Sequence, residues 1–173
     1  MRASFLLYPF GKWELKEPGE LRMSKAGDYV FVLWGDKFEE ATTTIFVAEL
    51  RRAGLRVKVV GLTARRTSGA HGLALFPDLT LDQALPLAAK ASCVILPYTS
   101  RGIKRLKNDP RLRKFLKRAG SNKATFVIGQ LNGFDIAEVG LFPVATDNVL
   151  IYPDREGLVG FARELAGLLS GAT

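Results

Sequence analysis

The chain has 173 residues, 47% apolar and 24% charged, a composition that describes one folded domain with a buried core and excludes wholesale disorder. One cysteine, Cys93, excludes an internal disulfide framework and a multi-cysteine metal site. One histidine, His71, leaves little room for a His-based zinc site or an ordinary Ser-His triad. The net charge of +8, with a pI near 9.8, suits acidic partners: nucleic acid, phosphorylated ligands or an anionic surface.

Residues 1–27 mix charges with Pro9 and Pro18 and hold no sustained period, so the sequence predicts an N-terminal extension ahead of a domain at 28–173. Two readings of the extension stay open. It is an arm packing through Phe5, Leu6, Leu7, Tyr8, Phe10 and Trp13, or a non-native stretch ahead of a start at Met23. "FLLYPF" falls far short of the roughly 20 apolar residues of a membrane span and no cleavage pattern follows it, so a cytoplasmic protein with no membrane partner is expected.

From Tyr29 the chain alternates. "YVFVLW" (Tyr29–Trp34) reads as a strand, and "FEEATTTIFVAELRRAG" as a helix with acidic residues in its first turn, Arg51 and Arg52 in its last, and Gly54 as terminator. Arg56–Leu62 is a second strand and Gly72–Asp78 a short third one, ending at Pro77. Thr80 caps a short helix strained by Pro86. Cys93–Pro97 is a buried strand. Asn108–Gly120 is a helix with Asp109 as N-cap, Pro110 at its first position, and Leu112, Phe115 and Leu116 on its inner face. Strands at 124–128 and Asn148–Tyr152 follow, and a last helix buries Leu158, Phe161, Leu165, Leu168 and Leu169. Strands apolar on both faces, separated by helices, predict an α/β fold with a mostly parallel sheet covered on both sides. Ligands in such folds sit at the carboxyl ends of the strands. Four segments reach that edge: Gly35–Thr44, Pro97–Gly102, Gly129–Asn132 and the loop before the final strand.

Those segments, in that order, resemble the ThiJ/PfpI family, a branch of the class I glutamine amidotransferase-like superfamily. The matching pieces are "FEEATTTIFVAELRRAGLRVKVVGL", "GLALFPDLTLDQA", "ASCVILP", "NDPRLRKFLKRAG" and "AEVGLF". The resemblance implies a flavodoxin-like three-layer sandwich and a homodimer or higher oligomer. It also implies a catalytic cysteine on a strand-to-helix elbow, a glutamate that tunes it, and a P-G-G turn whose amides help hold an anionic centre. A thiolate needs a managed pKa, and oriented amides stabilise developing negative charge. Here the elbow position, counted back from Gly140, is Ile128, followed by Gly129 and Gln130. The tuning position is Thr42, because "FEEAT" supplies Glu39 and Glu40 but ends in threonine. Tyr98 and Thr99 stand where the two glycines belong, and "LFPVATDN" lacks the family's histidine. This sequence therefore reads as the family scaffold without the family's nucleophile, and no catalytic residue, metal or cofactor is assigned.

The remaining candidates are Glu39, Thr42, Tyr98, Thr99, Ile128, Gly129 and Gln130, a polar edge suited to a small ligand. Cys93 reads as a packing residue, His71 as a loop-stabilising residue with no recognisable carboxylate beside it, and Glu39 and Glu40 as carboxylates favoured by the helix dipole. "GLTARRTSGAHG" has no phosphate-loop pattern. From Arg101 to Lys123 run ten basic residues against Asp109 alone, among them Arg101, Lys104, Arg105, Arg113, Lys114, Lys117 and Arg118. This is a solvated face or a surface for nucleic acid or another polyanion. Three functions are open: a non-enzymatic scaffold acting by ligand binding or subunit contacts, a hydrolase or glyoxalase-like enzyme using relocated residues such as Glu39, His71 or Tyr98, and a polyanion binder.

Overall fold

A strand with no polar alternate residue is stable only where both its faces are covered, and Tyr29–Trp34 (β1) is such a strand, buried from Val30 onward. The computed structural model describes residues 22–62, 66–98, 108–129 and 148–171. In chain order β1 is followed by helix α1 (Glu40–Arg52), β2 (Val57–Gly61), β3 (Thr67–Ser68), β4 (Ala74–Leu75), β5 (Leu79–Thr80) and α2 (Leu81–Ala84). A 3-10 helix (Leu85–Lys90), β6 (Ala91–Leu96), α3 (Pro110–Ser121), β7 (Thr125–Ile128), β8 (Val149–Ile151) and α4 (Arg155–Ser170) complete it. The main sheet has the order β5-β2-β1-β6-β7-β8 with every pairing parallel. The alternation along β1 divides the core in two. Val30 and Val32 face α1 and α4 with Phe46, Leu50, Leu158 and Leu165, while Phe31 and Leu33 face α2 and α3 with Leu81, Leu112 and Phe115. The result is a three-layer α/β sandwich.

One strand departs from the sequence reading. Gly72–Asp78 does not enter the main sheet; Ala74–Leu75 pairs antiparallel with Thr67–Ser68 in a separate ribbon, and Leu79–Thr80 takes the sheet edge beside β2. Pro77 is the cause, because it has no N–H to give a neighbouring strand. Its ring instead lies on Gly61, where a Cβ would stand 2.8 Å from Pro77 Cγ. Asp78 then anchors the restart, accepting the Val59 N–H and an Arg51 N–H, each at 2.8 Å.

The caps follow the sequence closely. Thr80 and Gln83 form a reciprocal capping box, and the chain continues past α2 as a 3-10 helix with Pro86 in its first turn, where a missing N–H costs little. Asp109 caps α3 through the Arg111 N–H at 2.9 Å, with Pro110 in the first turn. In α4 the buried stripe is Leu158, Ala162, Leu165, Ala166 and Leu169; Phe161 and Leu168, expected in the core, are only half-buried. Ser24 ties the segment before β1 to the domain, donating its N–H to Leu169 O and its Oγ hydrogen to Ser92 Oγ at 2.6 Å.

Phe115 is fully buried, its ring edge-on to Phe31 at 5.3 Å between centroids. Phe115→Ala is expected to lower the unfolding free energy by about 3–5 kcal/mol in urea titration, the cost of a large cavity in a close-packed layer.

Candidate functional site

Strand β7 ends on Ile128, which pairs with Leu96 on one side and Ile151 on the other and is completely buried. Gly129 is the first residue outside the strand. Tyr152 donates its N–H to Ile128 O at 2.9 Å, which brings the Tyr152 ring back over the end of β7. Its hydroxyl lies where a side chain on residue 129 would begin: a Cβ there would be 2.8 Å from Tyr152 Oη and 3.0 Å from Cζ. Any side chain at 129 would require the tyrosine ring to move. Phe46 holds the ring from the other side, edge-on at 5.6 Å.

The end of β6 meets the start of α1 at the same edge. Glu39, the N-cap of α1, donates its N–H to Pro97 O at 3.1 Å, and Tyr98 N–H turns back to Leu96 O at 3.0 Å. The Tyr98 ring packs on Phe38 at 5.6 Å, and its buried hydroxyl has no hydrogen-bond partner among the described residues. Burial and then the neighbouring Tyr152 push the Tyr98 hydroxyl far above the ordinary phenol range. Burial and then the charge of Glu39 do the same to Tyr152. Both phenols therefore remain O–H donors across the physiological range. Thr42 and Thr43 are buried on the first turn of α1, and Thr43 Oγ donates to Glu39 O at 2.9 Å.

A second cluster lies one residue further along α1. Glu40 is buried, and its Oε1 accepts the N–H of His71 at 2.7 Å and of Leu73 at 3.2 Å, while Oε2 faces His71 Nδ1 at 3.0 Å. Gly69 packs directly against the Glu40 carboxyl group, which fills the space that any side chain at 69 would need. Burial by itself raises the pKa of this carboxyl. Hydrogen bonds from its own backbone N–H, from the His71 ring and from the His71 and Leu73 amides outweigh that and hold it at about 2, against an ordinary 4.5. Glu40 thus clasps the β3–β4 ribbon to α1. The sequence reading of His71 as a residue with no carboxylate beside it is corrected here: its partner comes from 31 residues upstream. Cys93 lies fully buried between Val30 and Thr125, and burial lifts its thiol well above the usual range, which leaves it protonated and sealed from solvent. Among the described residues no group of three or more His, Cys, Asp or Glu side chains is placed to hold a metal ion.

The sequence model of the DJ-1/PfpI family matches residues 28–129. The chain belongs to the DJ-1/PfpI family. Its fold is similar to that of Drosophila melanogaster DJ-1beta, with a TM-score of 0.71 and 20% identity over 83% of this chain and 91% of the other. It is similar also to a DJ-1 superfamily protein of Salmonella typhimurium (TM-score 0.69, 19% identity, 83% and 91% covered) and to Toxoplasma gondii DJ-1 in its oxidized form (0.68, 16%, 83% and 91%). No curated protein matches the chain.

Family and fold are thus as the sequence segments indicate. Of the residues expected at the edge, Glu39, Thr42, Tyr98, Ile128 and Gly129 are described and lie at the ends of β6 and β7 or the start of α1; Thr99, Gln130 and the loop before the final strand lie outside the described residues. Arg101, Lys104 and Arg105 lie outside them too, whereas Arg113, Lys114, Lys117 and Arg118 stand on the solvent side of α3. Tyr152 escapes a reading of the sequence, where it is simply the residue after "NVLI"; only the fold places its hydroxyl against Gly129.

Glu40→Gln is expected to lower stability at pH 7 by about 2 kcal/mol, because an amide cannot accept all the donors that converge on the carboxylate. The folded pKa of Glu40 is depressed, so its contribution is complete above pH ~5 and disappears as pH falls from 4.5 through about 2. Urea titrations of both proteins across that window should therefore converge toward acid.

Proposed function

We propose that this DJ-1/PfpI family member carries out no cysteine chemistry at the sheet corner and acts as a binding scaffold, taking a small ligand at the carboxyl edge of its sheet and pairing with a second copy of itself. The single observation that supports the first part is the closed corner. Ile128 is a strand residue inside the core, and Tyr152 Oη fills the space that a side chain at 129 would need. The chain's one thiol, Cys93, is buried toward the opposite end of the strands and held neutral, the reverse of what a nucleophile requires.

What remains at the edge suits recognition rather than bond making. Tyr98 and Tyr152 offer O–H donors, and Glu39 adds a carboxylate beside Tyr152. The Tyr98 hydroxyl, without a partner among the described residues, is the group that gains most from a ligand carrying a hydrogen-bond acceptor, since a buried polar group left unpaired is costly.

Pairing with a second copy is supported by the clasped ribbon. Leu73 and Phe76, at 52% and 75% exposure, are large apolar side chains held out to solvent beside β4, and Glu40 fixes the backbone that carries them. A second copy covering these residues removes that apolar surface from water.

Methylglyoxal consumption and peptide hydrolysis by the full chain are expected to stay at the buffer rate, and Cys93→Ser to change neither. Turnover that disappears on Glu39→Ala contradicts the reading and favours an enzyme with relocated residues. Sedimentation should give a dimer that Leu73→Asp with Phe76→Asp converts to monomer; a monomeric parent protein removes the pairing from the proposal while leaving the turnover result intact.

A further inference from the structure

The exposed side of α3 is a second feature, independent of the sheet corner. The helix carries Arg111, Arg113, Lys114, Lys117 and Arg118 and no acidic residue. Asp109 and Asp82 both bind Arg111, at 3.0 and 2.9 Å, so those two carboxylates serve the first turn. Further along, Lys114 stands four residues before Arg118, with Lys117 between them, all on the solvent side. Like charges at that spacing are neighbours and weaken a helix.

The end of α3 adds a cation where the backbone favours glycine. Lys123 N–H donates to Gly120 O at 2.9 Å and Ala124 N–H to Ala119 O at 3.1 Å, the paired bonds of a Schellman turn around the Asn122 C-cap. That turn needs a left-handed residue after the cap, and Lys123 supplies it at φ 59°. A lysine is strained there and a glycine is not. Arg22 then joins two edges, donating to Ala91 O and Asn122 O. It brings the residues next to them, Lys90 and Lys123, to the same end of the domain, both exposed. Like-charge repulsion along the helix lowers the stability of the free protein and is relieved when an anionic partner lies on this face, and the strained backbone of Lys123 holds a further cation at the same end.

We propose that the solvent face of α3 and the turn that follows it, from Lys114 through Lys123, binds the phosphate backbone of duplex nucleic acid without reading its sequence. A membrane surface fits less well, because the apolar residues of α3 (Leu112, Phe115, Leu116 and Ala119) are all fully buried and none is left to enter a bilayer. Single-strand recognition fits less well too, as the only aromatic of the helix, Phe115, is in the core and the helix presents no ring for base stacking. What the face offers is point charges, and these neutralise phosphates and release counterions.

The test is fluorescence anisotropy of the full chain with a labelled DNA duplex of about 20 base pairs, titrated between roughly 50 and 200 mM salt. About four phosphate contacts give a slope of log affinity against log salt near −3.6, hence a loss of about 150-fold over that range, with no dependence on sequence. Lys114→Glu with Lys117→Glu should weaken binding at least ~10-fold and flatten the slope by about two. The double reversal sets a new carboxylate four residues before Arg118, so a repulsive pair becomes attractive and the helix itself is retained. Lys123→Gly should move two readouts in opposite senses, raising the urea midpoint while weakening DNA binding. No binding at low salt, binding unchanged by the double reversal, or tighter binding to phosphatidylserine vesicles than to the duplex overturns the proposal. A Lys123→Gly protein that gains stability with undiminished affinity removes Lys123 from the surface and contradicts its boundary.

Discussion

Tyr152 and residue 129 compete for one volume, and the layout of the sheet edge follows from who occupies it. β8 returns alongside β7, and the backbone bond from Tyr152 to Ile128 leaves the tyrosine ring nowhere to go but over the end of the neighbouring strand. A phenol in that place crowds any side chain at 129, and the same phenol carries its hydroxyl toward Glu39 and Tyr98. One packing choice thus fills the space beside residue 129 and places a hydrogen-bond donor at the edge.

The start of α1 serves both the edge and the ribbon. Glu39 binds the end of β6 through its amide, and Glu40, the next residue, turns the other way and gathers three donors from the β3–β4 connection. Consecutive helix residues point about 100° apart, which lets two adjacent carboxylates serve two different structures. The cost of burying Glu40 is offset by charge-assisted hydrogen bonds, which hold its carboxyl below the ordinary range.

The elements are legible in the sequence wherever a local rule sets them. β1 is readable because six apolar residues in a row suit only a strand covered on both faces, and the caps at Thr80 and Asp109 because their side chains bond within three residues. The third strand misleads because "GLALFPD" looks locally like a strand, and what decides its fate is Pro77 meeting Gly61 from another strand. The site is legible only in part, for the same reason. Glu39, Thr42, Tyr98 and Ile128 can be placed at the edge from their position after or before strands. The His71–Glu40 pair and the Tyr152–Gly129 contact join residues 31 and 23 positions apart, and no local pattern announces either.

The closed corner is tested most directly by a double-mutant cycle on unfolding free energy with Gly129→Ala and Tyr152→Leu. If the tyrosine fills the space beside residue 129, Gly129→Ala costs about 1–3 kcal/mol in the parent protein and most of that cost vanishes in the Tyr152→Leu background. Additive effects, with the alanine equally costly or equally harmless in both backgrounds, would contradict a corner closed by Tyr152.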